Sequence, residues 1–80
     1  MAYCVYILRS QRTGFYYIGY TNNLQRRLRE HNAGMTKSLF RHIPLEIVRI
    51  EEYSTYAEAR RREAQIKRYK SGNAFRQLLH

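Results

Sequence analysis

Apolar and polar positions change period several times along this chain, and each change marks an element. Tyr3-Cys4-Val5-Tyr6-Ile7-Leu8-Arg9 is apolar on both alternating faces, the pattern of a central strand covered on both sides. Ser10 to Gly14 is polar and closes on glycine, which predicts a hairpin loop. Phe15 to Thr21 is rich in aromatic and β-branched residues and forms the partner strand. Asn22 or Asn23 then supplies a helix N-cap, with Gln25 at capping-box spacing from Asn22. Leu24 and Leu28 mark the buried stripe of that helix, and Gly34 stands where a C-terminal cap belongs. Residues 34–43 keep no period and are expected to be irregular. After Pro44, Leu45 to Tyr53 predicts a third strand with imperfect alternation, Leu45, Ile47 and Arg49 against Glu46, Val48 and Ile50. Thr55-Tyr56-Ala57-Glu58 is a second capping box; it opens a long helix to about Tyr69, broken at Ser71-Gly72-Asn73. Asn73 to Leu79 suits a short closing helix. The order ββαβαα predicts an α+β fold, a small three-stranded antiparallel sheet flanked by helices, in a single domain over residues 1–80.

Composition turns this fold toward a polyanionic partner. Fifteen Lys+Arg against six acidic residues, all Glu, leave a formal charge of +9 on 80 residues. Most of the cations are Arg, whose planar fork matches phosphate oxygens in pairs, and the eight Tyr offer stacking faces. That mixture suits nucleic acid better than a membrane surface, because the basic helix after Thr55 offers mainly Ala on its apolar side. A solvated basic surface is the alternative reading. One Cys rules out an internal disulfide, and one Cys with three scattered His makes no structural zinc site. The absence of Asp argues against a two-metal carboxylate centre, so any metal site should hold one ion on few protein ligands. The apolar run Tyr3 to Leu8 is too short for a signal-peptide core or a membrane span, and a cytoplasmic location is expected.

Several residues could carry chemistry. Gly14 to Thr21 has the spacing of a phosphate loop, but its interior is bulky and strand-forming and Tyr20 stands where the Lys belongs. Arg27 and His31 are four apart on one helix face beside the Leu24–Leu28 stripe. They either point together into a groove or belong to a solvated basic helix. On the long helix, Tyr56, Ala59, Glu63 and Ile66 form one stripe whose only acid is Glu63. A carboxylate there binds a cation or pairs with Lys67 or Arg60 along the helix. Tyr6 and Tyr17 sit mid-strand on neighbouring strands, where Tyr commonly serves the core. They can serve one site only from the same face. Tyr6 directly opposite Tyr17, with a four-residue loop Ser10 to Thr13, meets that condition, as does any register displaced by two residues.

Cys4-Val5-Tyr6, then Tyr17-Ile18-Gly19, then Asn23-Leu24 with Arg27 and His31, then Glu63, resembles the GIY-YIG nuclease superfamily. More narrowly, it resembles the small standalone bacterial GIY-YIG proteins of poorly assigned function. Cys4 and Val5 stand where the first motif has Gly and Ile, and Asn73 is the candidate for an Asn that many relatives carry after the Glu. The resemblance implies that Tyr6 is the general base or positions the attacking water, and that Tyr17 orients the water or the scissile phosphate. It implies that Arg27 holds that phosphate, that His31 assists there or relays a proton, and that Glu63 binds a single Mg²⁺ or Mn²⁺. The implied activity is a metal-dependent DNA endonuclease of low sequence preference, with selectivity for branched or damaged structure. A protein partner would supply targeting, since larger family nucleases carry separate DNA-targeting domains. The alternative is a non-cleaving nucleic-acid-binding module of the same fold. Both Tyr hydroxyls are expected on the sheet face that receives Arg27, His31 and Glu63.

Overall fold

Burial on both faces makes the first strand the middle of the sheet. The computed structural model describes residues 2–69 and 72–79. Its strands are β1 (Tyr3–Ser10), β2 (Tyr16–Thr21) and β3 (Leu45–Tyr53), antiparallel in the order β2-β1-β3. Its helices are α1 (Leu24–Asn32), α2 (Tyr56–Tyr69) and α3 (Asn73–Leu78), so the order ββαβαα holds. The irregular stretch before Pro44 contains one feature that the sequence pattern did not signal, a 3₁₀ helix over Lys37–His42. Of the break signalled after Tyr69, Ser71 lies outside the described residues.

Odd-numbered β1 residues face one helical layer and even-numbered ones the other. Val5 and Ile7 pack with Ile18, Ala59, Ile66 and Phe75 beneath α2 and α3. Tyr6 and Leu8 pack with Leu39, Leu45, Leu24 and Leu28 beneath α1 and the 3₁₀ turn. Each fully buried aliphatic side chain contributes roughly 1.5–3 kcal/mol, so two thin layers suffice for a chain of this size.

The hairpin register keeps Tyr6 and Tyr17 on one face, displaced by two residues from direct opposition. Tyr6 pairs with Gly19 and Tyr17 with Leu8. Gly14 sets the displacement. Its φ of +77° suits the closing position of the loop, so the loop runs Gln11 to Gly14 and Ser10 stays in β1. The Ser10 hydroxyl accepts the amides of Arg12 and Thr13, and Ser10 and Phe15 bond through the backbone at 2.8 Å.

The imperfect alternation of β3 has a cause in its pairing with β1. Ile7 pairs with Arg49 and Leu8 with Ile47, so the ladder skips Val48 in a bulge. Beyond it the parity inverts. Ile50 joins Leu45 and Ile47 on the α1 side, and Arg49 moves to the opposite face from the one its spacing from Leu45 implies. α1 is held at both ends. Asn23, not Asn22, is its N-cap and accepts the Arg26 amide, while Asn32 exchanges two hydrogen bonds with the backbone of Leu45.

On the α2 side, Glu51 joins three elements. It accepts Arg62 at 2.7 and 3.1 Å, Arg49 at 2.8 Å and the Tyr53 hydroxyl at 2.7 Å, and Arg49 also donates to the Leu78 carbonyl. Arg62 foremost, then Tyr53 and Arg49, outweigh burial and lower its carboxyl from the ordinary 4.5 to about 2. A lowered carboxyl pKa contributes stability that is complete above pH 4.5 and lost as pH falls through about 2. The effect is on the order of 3 kcal/mol. Urea titrations from pH 7 to 2 should therefore show an acid-dependent loss of stability that Glu51→Gln largely removes; the same slope in the variant would assign it to other carboxylates.

Candidate active-site groove

The open edge of β2 carries a groove. A cavity of about 530 Å³ there is lined by Tyr6, Tyr17 and Gly19 from one sheet face and by Tyr3, Tyr20, Tyr56 and Glu63 from the other. Arg26 and Arg27 close it on the α1 side. The groove therefore wraps around the strand edge. This corrects the expectation that Glu63 shares a sheet face with the tyrosines: α2 packs on the opposite layer, and its acid reaches the same cavity across Gly19.

Gly19 makes that crossing possible. A Cβ on it would lie 2.6 Å from the Tyr6 hydroxyl and 2.7 Å from its Cζ, and 3.1 Å from Tyr17. The backbone there is ordinary, so glycine is needed for space. Its bare Cα lets the Tyr6 ring lie flat over β2 and deliver the hydroxyl to the edge. Tyr6 is otherwise a core residue, 1% exposed. It serves the core and lines the groove at once, and its ring centre lies 6.2 Å from that of Tyr17.

Arg27 and His31 share a helix face but not a role in the surface. Arg27 lines the groove and pairs with Glu30 at 3.3 Å. His31 is 0% exposed and does not line it. It sits behind Tyr6, whose hydroxyl is 3.3 Å from His31 Nε2, and His31 Nδ1 is 2.8 Å from the Thr36 hydroxyl. Contact of His31 with a phosphate in the groove is therefore blocked by Tyr6; what it touches is the tyrosine hydroxyl. Burial, and Arg27 after it, lower the His31 pKa below 6.5, with Glu30 opposing. Burial and the neighbouring Tyr17 push Tyr6 up to about 12, against the pull of Arg27. At neutral pH both groups are uncharged.

Glu63 makes the helix ion pair and also lines the groove. Its carboxylate is 3.6 Å from Lys67 in the expected helix pair, and it also faces the groove with a side chain only 16% exposed. Asn73 begins α3, is exposed and does not line the cavity. Among the described residues no three His, Cys or Glu side chains gather as metal ligands. Glu63 alone fits an ion that keeps most of its own water and takes one carboxylate plus substrate phosphate, as Mg²⁺ does. Spacing gives no sign that Thr36 and Arg26 belong to the site, nor that the tyrosines at 3, 20 and 56 gather in one groove. Thr36 comes from the aperiodic stretch after α1, and no local pattern marks it as the partner of a buried imidazole.

The family model described as the GIY-YIG catalytic domain matches residues 2–75. A UPF0213 protein from Halobacterium salinarum is 41% identical over 64 residues, covering 79% of this chain and 82% of that one. A UPF0213 protein from Streptococcus pneumoniae is 37% identical over 67 residues, covering 82% and 67%. The solution NMR structure of a UPF0213 protein from Bacillus halodurans shares the fold with a TM-score of 0.52 at 32% identity, covering 85% of this chain and 72% of that one. These names state no activity. No helix among the described residues is long and apolar enough to cross a membrane.

Proposed function

This chain belongs to the GIY-YIG family, a nuclease-type family, and from that premise we propose that its groove hydrolyses DNA phosphodiesters with low sequence preference, with one divalent ion, Mg²⁺ or Mn²⁺. One observation carries the reading: Tyr6, Tyr17, Arg27 and Glu63, from four different elements, line one cavity. Arg27 binds the scissile phosphate and stabilises the charge that develops on it, where a preorganised cation is worth most. Tyr6 accepts the proton of the attacking water. With its pKa near 12 it does so as a neutral phenol, passing its own proton to His31 Nε2 as the water loses one. This relay uses the tautomer in which His31 Nδ1–H donates to the Thr36 hydroxyl 2.8 Å away, which leaves the lone pair of Nε2 toward Tyr6. Tyr17 orients the water or the phosphate. When bound at Glu63, the ion supplies Lewis-acid stabilisation of the phosphate oxygens.

Plain, single-stranded and branched DNA incubated with Mg²⁺ or Mn²⁺ tests the reading. Cleavage is expected with metal and not with chelator. Glu63→Gln should abolish it and keep the fold, since the amide keeps the shape of the side chain and the ion pair it gives up is with the half-exposed Lys67 at 3.6 Å. Metal titration followed by NMR should shift resonances around Glu63, Tyr6 and Tyr17 in the wild type alone. An equal response in the variant would place the ion elsewhere, and binding without cleavage of any substrate would leave only the non-cleaving module.

The groove cations and the net +9 charge give a second expected result. Each neutralised phosphate releases counterions, so DNA affinity should fall by roughly one to three orders of magnitude between 50 and 200 mM salt. Filter binding across that range measures it; an affinity flat with salt sinks the polyanion reading.

A further inference from the structure

Three tyrosines in the groove take no part in the chemistry described above. Tyr56 leads the inward stripe of α2. Two members of that stripe, Ala59 and Ile66, are 0% exposed, yet Tyr56 is 47% exposed. An aromatic ring on the sheet-facing side of a helix, left half in water, marks a surface waiting for a partner more clearly than an exposed side chain on the outer face. The ring is also fixed. Tyr20 packs against it at 5.5 Å and 78°, Tyr3 at 5.9 Å and 79°, and the hydroxyls of Tyr20 and Tyr56 lie 3.1 Å apart. A ring already held in place loses little freedom when something stacks on it.

Position and charge identify the partner. Tyr20 follows Gly19 in β2, so this cluster lies just around the strand edge from the Tyr6 hydroxyl, in the same cavity. Arg26 and Arg27 line that cavity too, which favours an anionic strand over an apolar peptide. A base inside a duplex has both faces covered by its neighbours; only an unpaired base has a face free to stack on a ring that lines the groove. We propose that Tyr3, Tyr20 and Tyr56 form a stacking subsite for one unpaired base of a DNA strand whose phosphate lies at Tyr6, Tyr17 and Arg27. The proposal rests on the groove being a nucleic-acid site. It selects phosphates beside an unpaired nucleotide, in single strands, flaps or mismatched junctions.

The test is binding without metal, so that it does not depend on cleavage. Short single-stranded DNA carrying 2-aminopurine at successive positions is titrated with the full chain in chelator; stacking quenches this base. Quenching is expected at one position. Tyr56→Leu, which keeps apolar bulk but has no ring, should abolish the quench and weaken single-strand binding by about five- to 150-fold, the range for one base stacked on an aromatic side chain. Tyr56→Phe should retain both, and Tyr56→Leu should leave duplex affinity unchanged. The half-exposed position keeps the substitution off the core, and the melting temperature of each variant verifies the fold. Equal weakening on single strand and duplex, or an unchanged quench in Tyr56→Leu, overturns the subsite. Quenching confined to an RNA strand of the same sequence overturns its assignment to DNA. Loss of every cleavage activity with the quench intact would sink the proposed hydrolysis and leave the subsite standing.

Discussion

Tyr6→Phe is expected to slow DNA cleavage by about 10²–10⁴-fold, the range for loss of a general acid–base group. DNA affinity should barely change, because the ring that fills the core remains. The effect should therefore fall on kcat and leave KM nearly constant. The variant also leaves the buried His31 Nε2 without its tyrosine partner, which costs roughly 1–3 kcal/mol of stability. Assays consequently belong well below the melting temperature. The pH profile of the wild type carries a linked expectation. His31 accepts a proton only when neutral, and burial holds its pKa below 6.5, so the acid limb should lie below pH 6.5. Single-turnover kinetics of both proteins measure these values. Wild-type-like turnover in Tyr6→Phe would remove Tyr6 from the chemistry and leave it a core residue.

Gly19→Ala should do comparable damage by a different route. In most strands this change is mildly favourable, since glycine weakens a strand interior. Here the new methyl meets the Tyr6 hydroxyl at 2.6 Å, and Tyr6, buried in the core, can shift away only by straining its packing. Overpacking of this kind costs about 1–3 kcal/mol. It also moves the hydroxyl off the groove, so cleavage should drop by at least about 10²-fold, as misplacement of a catalytic group does. Combining it with Tyr6→Leu removes both clashing atoms, the hydroxyl at 2.6 Å and Cζ at 2.7 Å. The double variant should be more stable than the sum of the single effects, a coupling that thermal unfolding detects. Additive losses would mean that the glycine is there for a reason other than the tyrosine.

The comparison of Tyr6 with Glu63 shows how far local pattern reaches into the site. Strand parity is a local property, so the shared face of Tyr6 and Tyr17 could be anticipated from the hairpin, and the structure keeps it with a displacement of two residues. Glu63 could be recognised as an acid on an inward stripe, because helical spacing is local too. Which sheet face that stripe meets is not local. It depends on how the chain passes from β3 into α2, and the structure puts α2 opposite α1. His31 illustrates the same limit. Its four-residue spacing from Arg27 places both on one helix face, but the degree of burial along that face depends on what packs there. Tyr6 and Thr36 enclose the imidazole and leave the guanidinium in the groove.

By itself, the sequence determined the element types and most of their bounds, because period, caps and turn glycines act within a few residues of one another. Its charge set the expectation of a polyanionic partner, since net charge does not depend on packing. The tertiary structure alone decided the bulge at Val48, the 3₁₀ turn, the wrapping of the groove around the β2 edge and the burial of His31. Each of these depends on two surfaces meeting that lie far apart along the chain. The imidazole, the glycine and the aromatic cluster take their meaning from the neighbours that this meeting supplies.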